Sequence, residues 1–159
     1  MSQKKVLWSV FGTALAIRMA AFLSCQNSML FNHPFGDAKW FDQWAMGIAS
    51  GQWLGKGVFY LEPLYPYVLG LLYAVIGHSI MAVRFFQHML GAGSCVLIAL
   101  IGSRIFSRRA GLLAGLIASA YGLLIFYEAQ LLKETLAVFL LCALTLALLE
   151  AKERREWSW

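Results

Sequence analysis

Charged side chains are scarce in this sequence. Aspartate, glutamate, lysine and arginine make up only 13% of its 159 residues, whereas 60% are hydrophobic. Soluble domains carry about a quarter charged residues, so the shortage favours an integral membrane protein over a soluble domain. The formal net charge is +5. The basic residues nevertheless lie in short clusters between apolar runs, with no continuous basic patch, and nucleic acid is therefore excluded as a partner.

Cysteine is equally rare. Cys25, Cys95 and Cys142 are odd in number, widely spaced and beside or inside apolar runs, and no CxxC pair is present. The three histidines show no ligand spacing either. This pattern indicates small apolar cysteines in the core rather than a zinc site. We therefore predict no cofactor, and a divalent metal has no support in the sequence.

Five apolar runs are present, and four of them are long enough to cross a bilayer core of roughly 30 Å. The run Leu64–Gly77 has only about fourteen residues, and runs of about 10–14 are more often interfacial or re-entrant than spanning. Lys4 and Lys5 before the first run suggest a cleaved signal, but the run is too long and no cleavage site follows it. The runs are Val6–Cys25, Leu64–Gly77, Met81–Phe106, Ala110–Tyr127 and Leu131–Leu149.

The positions of the basic residues favour four crossings over five. With four crossings, Lys4 and Lys5, the turn around Arg108 and the tail around Lys152 all lie on the cytoplasmic side, as the positive-inside rule requires. The predicted fold class is therefore an all-α integral membrane protein with both termini cytoplasmic, in the plasma (inner) membrane. We divide the chain into a membrane module, residues 1–150, and a charged cytoplasmic tail, residues 151–159. The spans are about 6–25, 81–106, 110–127 and 131–149, with an external loop of about 26–80.

The stretch "FGDAKWFDQWAMGIASGQW", residues 35–53, is the most polar part of that loop. It predicts an amphipathic helix over Ala38–Ser50, with Asp37 as its N-cap and Gly51 at its end. Its tryptophans suit the headgroup region, so we expect the helix to lie in the interface plane. Asp37 and Asp42 point about 140° apart on such a helix and cannot clamp one metal from a single face. Asp42 is therefore interpreted as a residue on the solvated face.

The remaining charged residues on the external side are candidates for substrate binding. Glu62 precedes a proline-rigid turn, and Lys133 and Glu134 lie where two apolar runs meet. Together with Lys133, Arg84 near the outer end of its run supplies external cations of the kind that a lipid phosphate needs. Each of these side chains is also interpretable as a rim residue facing water. Arg18 lies within the first span and requires a partner, either a carboxylate or a carbonyl.

Four features occur together: an Asp-led interfacial helix, the turn "EPLYP", a Gly-His…Arg-x-x-Gln run and "LKET". In this combination the chain resembles bacterial glycosyltransferase family 39-like proteins, which are relatives of protein O-mannosyltransferases and lipid A aminoarabinose transferases with the GT-C fold. The resemblance covers nearly the whole chain. It implies a GT-C-like amino-terminal module with interfacial helices in its first external loop.

The resemblance implies sugar transfer, with inversion, from a polyprenyl-phosphate-linked donor on the external, periplasmic face. Asp37 matches the family's catalytic aspartate and would be the general base. Glu62, with Asp42 and Glu134, would bind substrate, and Arg84 and Lys133 would neutralise the departing lipid phosphate. Membrane lipid is the second expected partner.

Three alternatives follow from the length and charge of the chain. Members of the family are several times longer, so the chain looks like an amino-terminal third that is completed by the remaining part of a split or truncated enzyme. The alternative function is a non-catalytic membrane protein derived from this family, which binds lipid or a partner subunit. A small transporter is disfavoured, because the charges collect at one membrane edge rather than at the midplane.

Overall fold

The computed structural model describes residues 3–26, 34–54 and 61–156. Within these ranges the chain forms seven helices and no strand. The helices are α1 (Gln3–Cys25), α2 (Asp37–Ala49), α3 (Leu64–Ile76), α4 (Ile80–Ile105), α5 (Arg108–Ser119), α6 (Gly122–Ala129) and α7 (Glu134–Glu156).

Three helices are long and apolar enough to cross a membrane, namely Gln3–Cys25, Ile80–Ile105 and the part of α7 over Glu134–Arg154. Helices α5 and α6 pass the same test only as a pair, with a bend of 50° between them. The all-α membrane fold class predicted from the sequence is confirmed. Helix α3 has 13 residues and is too short to span a bilayer without deforming it. The four-crossing topology, in which the bent pair is one span, stays a prediction.

The bend corrects the expectation of one uninterrupted span over residues 110–127. Helix α5 ends at Ser119, Tyr121 is extended, and α6 restarts at Gly122. A guanidinium nitrogen of Arg18, Nη1, donates to the Ser119 carbonyl at 3.3 Å. In a continuous helix this carbonyl would accept from the backbone four residues further on. A side chain inserted into the helical hydrogen-bond ladder is a known cause of a sharp kink.

Helix α4 is the centre of the bundle, and α1, α5 and α7 all pack against it. Its contact with α5 depends on small residues. A Cβ added to Gly111 would lie 2.0 Å from Ser103 Oγ and 2.3 Å from the Ala99 carbonyl oxygen, and one added to Gly115 would lie 2.8 Å from Ala99 Cβ. Close approach of backbones through small residues is the usual packing of membrane helices. The two helices therefore meet without room for larger side chains.

Helices α2 and α3 form a separate layer beside the bundle. Ala38, Phe41 and Ala45 of α2 pack in one apolar cluster with residues of α3, chiefly Tyr65, Leu69 and Tyr73. The same cluster includes Val83 of α4 and Leu131, which precedes α7. The layer therefore covers the end of the bundle at which α4 and α7 begin.

The opposite end of the bundle carries basic residues. Arg104, near the end of α4, bonds Glu150 at 3.0 Å and Glu153 at 2.7 Å near the end of α7. Helix α1 runs antiparallel to α4, because Val10 packs near Ala99 whereas Phe22 contacts His88. Lys4 and Lys5 consequently lie towards the Arg104 end. The two ends of the molecule thus differ: Lys4, Lys5 and Arg104 lie at one end, and the α2–α3 layer lies at the other.

Candidate functional site

Asp37 is the first residue of α2, and its side chain is exposed. The N-cap is Gly36, whose φ of 57° suits glycine, and no side chain caps the helix by a hydrogen bond. The prediction that Asp37 is the N-cap is therefore wrong. Its carboxylate is not engaged in capping, although as an acid in the first turn it still interacts favourably with the helix dipole.

Lys133 and Glu62 form an ion pair at the same end of the molecule. The two side chains are 37% and 60% exposed, so the pair contributes little to folding stability. The hydrogen bond from Lys133 lowers the pKa of the Glu62 carboxyl, and the same bond raises the pKa of Lys133. The charges of Glu134 and Asp37 also raise the pKa of Lys133. The structure thus brings four of the six predicted site residues, Asp37, Glu62, Lys133 and Glu134, into one electrostatic cluster.

Arg84 lies inside the protein rather than at the surface, with only 2% of the residue exposed. Its Nε donates to the Ala129 carbonyl at 2.8 Å. One helical turn later, Gln87 Nε2 donates to the carbonyls of Glu128 at 3.1 Å and Gln130 at 2.7 Å. These residues of α4 therefore bind the backbone that leads from α6 to Lys133. The "Arg-x-x-Gln" spacing, noted in the sequence only as a family feature, has this structural role.

Asp42 is buried, which corrects its interpretation as a residue on the solvated face. Only 8% of the residue is exposed, and it lies on the face of α2 that packs against α3. Tyr73 Oη donates to Asp42 Oδ1 at 2.6 Å, and His78 Nε2 lies 3.0 Å from the same oxygen. Asp42 follows Ala38 by four residues and precedes Ala45 by three, so it shares a side of the helix with these two buried alanines. Asp42 is not part of the exposed cluster around Lys133.

A second buried cluster joins three helices, and no pattern in the sequence indicated it as a unit. Arg18 Nη2 donates to Glu128 Oε1 at 2.8 Å, and His88 Nδ1 lies 3.0 Å from Glu128 Oε2. Arg18 also donates to the carbonyls of Ala14 and Ser119, each at 3.3 Å. The expectation that Arg18 finds a carboxylate or a carbonyl is confirmed, since it has both. Glu128 is 2% exposed, and its carboxylate is shared between Arg18 and His88.

A cleft of about 230 Å³ lies between α4, α6 and α7. Its walls are almost entirely apolar, and they include Leu123, Leu124 and Val138. Glu134 and Thr135 also line the cleft. Neither Glu134 Oε2 nor Thr135 Oγ1 has a hydrogen-bond partner among the described residues. An apolar cleft with a few polar groups at one end is the usual form of a small-molecule site. Through Glu134 the cleft adjoins the exposed cluster around Lys133.

Among the described residues, no group of three or more histidine, cysteine or acidic side chains could hold a metal ion. Cys25 is exposed, Cys95 is buried and Cys142 is intermediate, and all three are free thiols. His78 and His88 each bond a single carboxylate. The chemistry available at the exposed cluster is therefore that of carboxylates and an ammonium group.

These features define a helical membrane protein with a cluster of carboxylates around Lys133 at the end of the bundle that carries the α2–α3 layer. A family model described as "Dolichyl-phosphate-mannose-protein mannosyltransferase" matches residues 62–159. The match covers more than half of the chain. The chain belongs to this family of membrane glycosyltransferases. No curated protein and no solved structure matches the chain significantly.

The matched range includes Glu62, Arg84, Lys133 and Glu134, whereas Asp37 lies outside it. The resemblance deduced from the sequence is thereby confirmed at the level of the family. The roles of the individual residues remain proposals.

Proposed function

We propose that this protein transfers a sugar from a polyprenyl-phosphate donor to an acceptor hydroxyl at the external face of the membrane, with inversion at the anomeric carbon. The observation that carries this proposal is the position of Asp37. Its carboxylate is exposed at the start of a helix and makes no capping bond. Its charge acts on Lys133. A general base needs such access to the proton that it removes. A phosphate leaving group needs a cation of the kind that Lys133 provides.

In the proposed reaction the Asp37 carboxylate accepts the proton of the acceptor hydroxyl. The acceptor oxygen then forms a bond to the anomeric carbon from the face opposite the lipid phosphate. The bond from the anomeric carbon to the phosphate oxygen breaks, and its electron pair leaves with the phosphate. Lys133 leaves its ion pair with Glu62 and neutralises the charge that develops on that phosphate. Glu62 and Glu134 accept hydrogen bonds from sugar hydroxyls.

The buried residues have a supporting role in this proposal. Arg84 does not contact the phosphate; it holds the backbone at Ala129 and thereby the segment that carries Lys133. The apolar cleft beside Glu134 supports the binding of a substrate that is part lipid. Neither step requires a metal ion.

A transfer assay tests the function. Membranes from cells that express this chain are incubated with polyprenyl-phosphate donors carrying tritium-labelled mannose or glucose. We expect label to move from the lipid fraction to an acceptor, with one equivalent of polyprenyl phosphate released, in excess over membranes that lack the chain. A labelled donor that binds to the purified chain without any release of polyprenyl phosphate would instead support a non-catalytic lipid-binding protein derived from this family.

We further propose that the α2–α3 end faces outwards from the plasma membrane and that both termini are cytoplasmic. The support is the concentration of cations at the opposite end, as the positive-inside rule expects. They are Lys4, Lys5, Arg104, Arg108, Arg109 and Lys152.

Thiol labelling at the two ends of α4 tests this orientation. With the native cysteines replaced, Met81→Cys should react with a membrane-impermeant maleimide on intact cells. The matched control, Phe106→Cys at the other end of the same helix, should react only after permeabilisation. Both positions are exposed, at 39% and 79%. The reverse labelling pattern would refute the orientation.

A further inference from the structure

The face of α2 that packs against α3 is apolar except for one side chain, Asp42. The other buried residues of this helix are Ala38, Phe41, Ala45 and Ile48. A carboxylate at such an interface is unfavourable unless charge and hydrogen-bond partners compensate for its lost hydration. An aliphatic side chain would pack at this position without that cost. The contacts that Asp42 makes therefore indicate what it does.

Both contacts of Asp42 reach across to the other side of the interface. Tyr73 near the end of α3 and His78 in the turn to α4 bond the same oxygen, Asp42 Oδ1, at 2.6 and 3.0 Å. Burial raises the pKa of Tyr73, and so does the hydrogen bond to Asp42, so Tyr73 is the donor. Because Oδ1 is an acceptor, His78 must carry a proton on Nε2. The imidazole also packs edge-on against the Tyr73 ring, with the ring centroids 4.8 Å apart.

The two members of the Asp42–His78 pair differ in their access to water. The His78 side chain is 45% exposed, whereas that of Asp42 is only 11% exposed. The imidazole is therefore the more accessible member of the pair, and the carboxylate is shielded. Among the described residues, the charge of Asp42 also acts on Tyr65 of α3, and the charge of Arg84 of α4 acts on both Tyr65 and Tyr73. Glu134 at the start of α7 acts on Tyr65.

We infer that Asp42 is a positioning residue: it holds α2 on α3 in the orientation from which the charge of Asp37 acts on Lys133, and protonation of His78 tightens this attachment. Asp37 and Asp42 lie on the same short helix, so a rotation or tilt of α2 displaces the Asp37 carboxylate. The attachment itself is independent of any reaction. Its consequence for catalysis rests on the proposed function.

The direction of the pH dependence follows from the charges. When the imidazole is protonated, an imidazolium and a carboxylate form a charged hydrogen bond, which is stronger than a neutral one. At higher pH the neutral imidazole still donates from Nε2, without the charge. The attachment of α2 is therefore tighter when the imidazole is protonated and looser when it is neutral. Because His78 is partly exposed, the change in the free energy of the attachment is small. It appears as a change in the mobility of α2.

Distance measurements between spin labels on α2 and α4 test the inference. Labels are placed at Lys39→Cys and Met81→Cys, both exposed positions, with Cys25 and Cys142 replaced by serine and Cys95 by alanine. The full chain is studied in lipid nanodiscs at about pH 5.5 and about pH 8. We expect one narrow distance at the lower pH and a broader distribution at the higher pH.

Three variants distinguish positioning from a merely structural role. Asp42→Asn should give the broad distribution at both pH values, and His78→Gln, which keeps a donor without a charge, should remove the response to pH. The matched control Gln43→Asn, at the exposed neighbouring position, should behave as the native chain. If Asp42→Asn does not fold, judged by its helical content, Tyr73→Phe replaces it and should also broaden the distribution.

Two results would overturn the inference. A narrow distribution in Asp42→Asn or Tyr73→Phe at both pH values would show that these contacts do not hold α2. An unchanged pH response in His78→Gln would show that His78 does not tighten the attachment. Sugar transfer is not measured in this experiment. Failure here therefore leaves the proposal for Asp37 intact, and failure of Asp37 as the base leaves this inference intact.

Discussion

Asp37→Asn is expected to lower the rate of sugar transfer by about 10²–10⁴-fold, the usual contribution of a general base. The amide has nearly the same shape as the carboxylate but cannot accept the acceptor's proton. Because Asp37 is exposed and makes no capping bond, we expect no more than a small loss of folding stability from its interaction with the helix dipole. The measurement is the initial rate of polyprenyl phosphate release in membranes with matched amounts of chain.

The control for this prediction is Lys39→Gln, a charge-removing change at an exposed position two residues along the same helix. It should leave the transfer rate within a few-fold of the native value. Donor binding should persist in Asp37→Asn, since the base contacts the acceptor and not the lipid phosphate. Near-native turnover in Asp37→Asn would show that the base lies elsewhere.

Glu128→Gln is expected to destabilise the fold by about 3–5 kcal/mol, because it leaves the Arg18 guanidinium buried without its counter-charge. Arg18 is 0% exposed and Glu128 is 2% exposed, so water cannot replace the lost partner. The Glu128 carboxylate also lies against Gly91: a Cβ there would fall 2.0 Å from Glu128 Oε1. The cluster thus joins α1, α4 and α6 at one point, and its loss should loosen all three contacts.

Cys95 provides the measurement, because its side chain is fully buried between α4 and its neighbours. With Cys25 and Cys142 replaced by serine, the rate at which a thiol reagent modifies Cys95 reports the opening of the bundle. The matched control is Glu150→Gln in the exposed pair with Arg104, where a loss below about 1 kcal/mol is expected. Equal effects of the two changes would mean that the buried pair contributes no more than a surface one.

A double replacement separates the effect of the ion pair on stability from the effect of its surroundings. Arg18→Met combined with Glu128→Met removes both charges and leaves apolar side chains of similar length. Replacing a buried ion pair in this way is often neutral. The double variant should therefore be more stable than Glu128→Gln alone. The amide of Glu128→Gln keeps one acceptor oxygen, so His88 loses its acceptor outright only in the double variant.

Some parts of the candidate site were predictable from the sequence, namely those that depend only on the order of residues along the chain. Asp37 begins a short helix, Glu62 precedes a proline-rigid turn, and Lys133 and Glu134 lie where two apolar runs meet. Asp37, Glu62 and Glu134 all act on Lys133, because both short helices and both turns lie at one end of antiparallel spans. Arg84 was misplaced by the same reasoning, since a cation near a membrane edge can turn inwards as readily as outwards when a backbone carbonyl is within reach.

The sequence by itself determined that the chain is a helical membrane protein. Long apolar runs with few charges have no other stable form in a bilayer, since each helix satisfies its own backbone hydrogen bonds. It also determined that Arg18 must be neutralised, because a charge within a span requires a partner.

Only the tertiary structure decided which groups are those partners. Glu128 is 110 residues from Arg18 along the chain, and His88 is 40 residues from Glu128, so no local pattern links them. The same holds for the kink after Ser119, which depends on a side chain from α1, and for Asp42, whose burial depends on α3 lying across it. Periodicity describes one helix at a time, whereas burial of a charge depends on what the neighbouring helices bring to it.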